Sequence, residues 1–101
     1  MADIPPLAAI RVFEAVARLS NLSRAAEELN MTQSAVSYQI KQLEAFAGGP
    51  LFNRLARGVE LNARGAFVAP AVTRSLNELK AAFRHIRDET GSLLVISTMQ
   101  T

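Results

Sequence analysis

A chain of 101 residues, half of them hydrophobic, can bury one modest core and has no room for a second full domain. Eleven Lys and Arg against nine Asp and Glu leave a formal net charge of only +2, so bulk charge argues for no polyanionic partner and any nucleic-acid contact must be local and geometric. The absence of cysteine excludes a disulfide framework and a thiolate metal site and agrees with a reducing compartment.

The chain opens Met1-Ala2-Asp3 and reaches Pro5-Pro6 almost at once, without the basic start and unbroken apolar run of a signal peptide. Its longest apolar stretch, residues 66–72, is far short of the roughly 20 residues that cross a bilayer. A soluble cytoplasmic protein with no membrane partner is expected. Pro5-Pro6 can open a helix, because a missing N–H costs nothing in the first turn, and Leu7, Ile10, Phe13 and Ala17 recur at helical spacing over residues 6–19. Ser20-Asn21-Leu22-Ser23 is rich in N-cap residues and precedes Ala25, Ala26 and Leu29, which predicts a short second helix with a small residue for close packing. Asn30-Met31-Thr32 reads as a turn. Thr32 can cap a third helix, whose stripe of Val36, Ile40, Leu43 and Phe46 runs to about Ala47 before Gly48-Gly49-Pro50 stops it.

From Leu51 the period shortens. Phe52, Val59 and Leu61 alternate with Asn53, Arg54 and Glu60 about the turn residue Gly58, which predicts a small β-hairpin. Asn62 can cap a last helix in which Ala69, Val72, Leu76, Leu79, Phe83 and Ile86 recur at spacings of three and four, a heptad seam over residues 62–89. Such a helix spans roughly 40 Å, too long for so small a core, and is expected to pair with the same helix of a second copy. Pro70 should kink it or mark its early turns as a separate piece. Gly91-Ser92-Leu93-Leu94-Val95-Ile96-Ser97 reads as a flexible joint and then a strand with nothing to pair with, so residues 90–101 are expected to begin a further, truncated domain.

The chemistry lies on the third helix. Gln33, Ser34, Ser37, Tyr38 and Lys41 make one polar face opposite the Val36, Ile40 and Leu43 stripe. A short helix, a tight turn and a helix with such a face is the helix-turn-helix arrangement, whose second helix enters the major groove of DNA. The Gln33 amide can offer donor and acceptor together to an adenine edge, Ser34 and Ser37 can contact bases or phosphates, Tyr38 a base methyl or a phosphate, and Lys41 a phosphate. An ordinary solvated helix face also shows polar residues, but it would use more Glu and Lys than Thr32, Gln33, Ser34 and Ser37 supply. Arg54 and Arg57 near the hairpin tip can reach a neighbouring phosphate or minor groove, and Arg24, early in the second helix, the DNA backbone.

Catalysis finds no support. His85 is the single histidine and has charged Arg84 and Arg87 close by, which points it to solvent. Glu27 and Glu28 are adjacent on a helix, point apart and read as a solvated face; Gly48-Gly49-Pro50 lacks the spacing and following lysine of a phosphate loop. No enzyme and no cofactor are expected.

The run Ala25-Ala26-Glu27-Glu28-Leu29, then Thr32-Gln33-Ser34-Ala35-Val36-Ser37, Gln39-Ile40 and Leu43-Glu44, closely resembles the signature of LysR-type transcriptional regulators. Gly48 with Leu51-Phe52 and Arg54, then Arg57, Val59, Leu61 and Gly65, is similar to that family's wing and the entrance to its linker helix, so the resemblance covers nearly the whole chain. Pro6-Leu7, Arg11-Val12-Phe13-Glu14-Ala15 and Ala17-Arg18 are similar to the branch that includes glycine-cleavage activators and β-lactamase regulators. Leu22-Ser23 stands where the family usually has phenylalanine and threonine, and Asn62 where it usually has threonine. The resemblance implies a homodimer joined through linker helices, often paired again into tetramers by a C-terminal domain that senses a small-molecule effector, and binding to partly palindromic promoter DNA.

The expectation is therefore a mostly α winged helix-turn-helix over residues 1–61, three helices and a small wing, followed by a dimerising helix over 62–89. Gln33, Ser34, Ser37 and Tyr38 should read bases. Thr32, Lys41, Arg54, Arg57 and Arg24 should hold phosphates. The rival is a coiled-coil interaction module that does not read DNA; the seam suits it equally, but it leaves the Gln- and Ser-rich face beside an Arg-bearing hairpin unexplained.

Overall fold

A computed structural model of the chain describes residues 3–93, with side chains as far as residue 89. Four helices and one hairpin follow in the order α1 (Leu7–Leu19), α2 (Leu22–Leu29), α3 (Gln33–Ala47), β1 (Phe52–Arg54), β2 (Val59–Leu61) and α4 (Ala63–Leu93). Each helix begins at a residue suited to the task. The Pro6 carbonyl accepts the N–H groups of Ala9 and Ile10. Asn21 Oδ1 accepts the Arg24 N–H at 2.8 Å, Thr32 Oγ1 the Ala35 N–H at 3.0 Å, and Asn62 Oδ1 the Gly65 N–H at 2.8 Å. Left-handed residues close the first three: Ser20, Asn30 and Gly48.

α1, α2 and α3 pack on one another around Phe13, Val16 and Val36, all shielded from solvent, with Ala25 and Ala26 giving α2 its close approach. Fully burying a side chain such as Phe13 contributes about 1.5–3 kcal/mol, so this small cluster dominates the stability of the three-helix unit. The inward face of α1 is Ala9, Val12, Phe13, Ala15 and Val16, and Leu7 points outward. The expected inward place of Phe46 is corrected: its ring is 45% exposed, and half-buried Ala47, four residues beyond Leu43, takes the core-facing position.

The hairpin is an antiparallel pair in the register Phe52 to Leu61, Asn53 to Glu60 and Arg54 to Val59, closed by a Leu55 N–H to Gly58 carbonyl bond. Leu51 and Val59 enter the core, and Phe52 sets its ring 5.4 Å from that of Phe13. β2 is also tied to the first corner of the bundle, where the Ser20 carbonyl accepts the Val59 N–H at 3.1 Å. A small helical bundle carrying a two-stranded wing results, the winged helix-turn-helix expected from the sequence.

α4 excludes one of the two outcomes expected at Pro70 and departs from expectation in two further ways. It is one element through Pro70, so the early turns are not a separate piece; Pro70 is the eighth residue of the helix and forfeits one ladder bond while the rest of the ladder continues. It also continues through Gly91, Ser92 and Leu93, which had read as a joint, because a glycine costs a helix only about 1 kcal/mol and does not by itself end one. The strand expected from Leu94 onward lies outside the described residues. Finally the seam divides. Val72 and Leu76 are buried in this chain's own core, with Ala69 packed against it, whereas Leu79 and Phe83 are 46% and 63% exposed and Ile86 is exposed too.

Candidate nucleic-acid interface

The turn between α2 and α3 is short because Asn30 adopts φ 58°, a left-handed conformation asparagine tolerates, and the Met31 N–H then bonds back to the Ala26 carbonyl at 2.9 Å. Val36, Ile40 and Leu43 point into the core, which forces the opposite face of α3 outward. Gln33, Ser34, Tyr38 and Lys41 are exposed there, Ser37 is half-buried, and the five line one shallow concavity. Thr32 is exposed at the start of the same face, where its hydroxyl oxygen is engaged by the Ala35 N–H and its proton is left to donate. The Tyr38 hydroxyl accepts from Gln42 Nε2 at 2.7 Å, which likewise leaves a phenolic proton facing solvent.

The wing stands beside this face. Ser37 and Lys41 share a cleft with Arg54 and Phe52, and Gln33 shares another with Arg54, Ser23 and the wing-turn residues Leu55, Ala56 and Gly58. Arg54 is therefore brought together with the face of α3. Arg57, in the exposed wing turn, and Arg24, on α2, line neither cleft and stand apart at the margin.

Charge is allocated cleanly. Arg18 donates from Nε to Glu14 Oε2 at 2.8 Å and from Nη1 to Glu28 Oε1 at 3.0 Å, so its guanidinium ties α1 to α2. The hydrogen bond to Glu28, then that to Glu14, raises the pKa of Arg18, while the same guanidinium holds the Glu28 carboxyl below its usual value. Glu28 is thus exposed but paired, a correction to its reading as a merely solvated residue; Glu27 is exposed as expected. Arg24, Lys41, Arg54 and Arg57 have no acidic partner among the described residues. These cations on the α3 and wing side are open to a polyanion, as are Arg11, Lys80 and Arg84 on the α1 and α4 side. Glu44 lines the Lys41 cleft, but its Oε2 accepts the Leu51 N–H at 2.8 Å.

Sequence reasoning missed three residues that position this surface, Glu44, Arg64 and Ser23, and a second role of Asn62 beyond its cap. Glu44 holds the start of the wing. Asn62 donates from Nδ2 to the Pro50 carbonyl as well as capping α4, and Arg64 reaches the Ala47 carbonyl at 3.0 Å, so the two tie α4 to the end of α3. Ser23 Oγ donates to Gln33 Oε1 at 2.7 Å across the turn. Its place in a cap-rich stretch marked Ser23 as polar, but nothing local pointed ten residues ahead. Among the described residues no cluster of His, Cys, Asp and Glu could hold a metal ion, no helix is long and apolar enough to cross a membrane, and exposed His85 has no such companions.

Comparison with known proteins adds three findings. The sequence model described as bacterial regulatory helix-turn-helix protein, lysR family, matches residues 7–66. The chain is 44% identical over 94 residues to the glycine cleavage system transcriptional activator of Escherichia coli K12, covering 91% of this chain and 31% of that protein. It is 40% identical over 97 residues to the transcriptional activator AmpR of Providencia stuartii, covering 92% and 33%. The chain thus spans about a third of the length of these relatives. Among solved structures, the CbnR_DBD–DNA complex superposes with a TM-score of 0.72 at 29% identity, covering 84% of this chain and 98% of that one.

Proposed function

The chain belongs to the lysR family of bacterial regulatory helix-turn-helix proteins, and on that premise we propose that it binds promoter DNA sequence-specifically, in the cytoplasm, as a homodimer on a pseudo-palindromic site, and so regulates transcription. The observation that carries the reading is the shared cleft of Gln33 on α3 and Arg54 on the wing, a neutral amide for a base edge beside an unpaired cation for a phosphate. Gln33, Ser34, Ser37 and Tyr38 face bases in the major groove. Thr32, Lys41, Arg54 and Arg57 hold phosphates on either side, with Arg24 at the margin. A matched structure is itself a complex with DNA, which supports the same placement of this fold.

Dimerisation falls to the outer part of α4. Ala69, Val72 and Leu76 serve this chain's own core, while Leu79 and Phe83 remain exposed and Ile86 continues their spacing. Leu7, Arg11, Leu79, Lys80 and Phe83 line one groove that joins apolar with basic side chains, in keeping with a helix of a second copy lying there. The coiled-coil module without DNA reading accounts for that groove and not for the α3 and wing surface.

The salt dependence of affinity for duplex DNA tests the proposal. Log K should fall steeply and linearly with log salt, and Arg54→Ala should reduce the slope by about 1. Failure to bind duplex DNA at low salt by a folded chain would reject it.

A further inference from the structure

Gln33 faces the groove with its amide already committed on one side. Ser23, two residues past the cap of α2, donates its hydroxyl to Gln33 Oε1 at 2.7 Å. Arg54, which carries only donors, lines the same cleft. Ser23 and Arg54 thus bring donors to the cleft that Gln33 lines, which favours an amide with its carbonyl turned toward Ser23 and its NH2 turned out. A free glutamine pairs well with adenine because N7 accepts and N6 donates, which needs both ends of the amide. With Oε1 turned back and one of its two lone pairs held by Ser23, the amide presents chiefly its NH2 to a base edge.

We propose that Ser23 is a positioning residue that makes Gln33 read chiefly through its NH2, selecting a base edge that presents acceptors without a facing donor: guanine through N7 and O6, or thymine through O4. Ser23 itself touches no base. It acts from α2 through the hydrogen bond to Oε1, and a threonine in its place would keep the hydroxyl. The inference rests on the DNA-reading role of α3 proposed above and adds to it the polarity of one contact.

The test is selection from a randomised duplex pool by the full 101-residue chain and by the variants Ser23→Ala, Ser23→Thr, Gln33→Ala and Ser23→Ala with Gln33→Ala. The base position at which Gln33→Ala loses discrimination is the one Gln33 reads. There the unaltered chain should prefer guanine or thymine to adenine by about fivefold or more. Ser23→Ala should admit adenine and shrink that preference, Ser23→Thr should keep it, and Ser23→Ala should change nothing once Gln33 is alanine. Ser23 is exposed on a helix, where alanine is a better helix former, so loss of fold is not the expected cause of a change. An unaltered chain that prefers adenine at this position, or a Ser23→Ala variant with unchanged base ranking, overturns the proposal while preference elsewhere in the site leaves the DNA-reading role standing. Absence of preference at every position defeats that role and the proposal with it.

Discussion

Gly58 lies so close to Ser20 that a Cβ on it would sit 2.3 Å from the Ser20 carbonyl oxygen, the same oxygen that accepts the Val59 N–H at 3.1 Å. The wing is therefore pinned to the corner between α1 and α2. Gly58 also has φ +88°, so alanine there meets backbone strain as well as overlap with a backbone atom that cannot swing away. Gly58→Ala should destabilise the chain by about 2–3 kcal/mol in urea unfolding. It should also weaken DNA binding, because Arg54 rides on the displaced hairpin.

Gly65 poses the opposite balance. It lies in the first turn of α4, where alanine is a better helix former by about 1 kcal/mol. A Cβ there would stand 2.2 Å from the Leu51 carbonyl oxygen and 2.8 Å from Leu61 Cδ2. Overpacking against backbone costs about 1–3 kcal/mol, so Gly65→Ala should lower the unfolding midpoint. A raised midpoint would mean that α4 is free to move off the wing.

Arg18 links α1 to α2 through Glu14 and Glu28, and its hydrogen bond holds the Glu28 carboxyl below the usual value of 4.5. A carboxyl depressed in the folded state contributes stability that is present above its unfolded value and lost as pH falls through its folded value. Arg18→Met should therefore be less stable than the unaltered chain at neutral pH, with the difference closing as pH drops below about 4.5. The pair is exposed, so the neutral-pH difference should be small and should shrink further in high salt. Thermal unfolding of both proteins across pH and salt checks the sign.

Leu79 and Phe83 stand exposed on the outer part of α4, whereas Leu76 is buried in the chain's own core. Leu79→Ala with Phe83→Ala should shift sedimentation from dimer toward monomer with little loss of helix signal. Leu76→Ala should instead cost about 2–4 kcal/mol of fold stability, as a core truncation does. A doubly substituted chain that stays dimeric would place the interface elsewhere.

What could be read from the sequence follows from how local each signal is. Thr32 and Asn62 announce their caps within three residues, and the change of period at Leu51 announces the hairpin. The polar face of α3 is legible because Val36, Ile40 and Leu43 fix which way it turns. The seam on α4 was legible as apolar spacing but not as a division of labour: whether Val72 or Phe83 packs on its own bundle depends on where α1 ends up, which the spacing does not encode. Phe46 was misplaced for a related reason, since two neighbouring apolar positions competed for one inward slot and the smaller Ala47 took it. Gly91 failed as a stop because helix termination needs more than one permissive residue. The Ser23 and Gln33 contact joins residues ten apart across a turn, and only the packed angle of α2 on α3 creates it.

The most direct test of the central claim is to incubate the purified chain with a random duplex library near physiological salt and sequence what it retains. The account predicts enrichment of an inverted repeat whose half-sites lie one helical turn apart, about 34–36 Å, so that two copies of α3 enter successive major grooves. A folded, dimeric chain that enriches no sequence over another would contradict it.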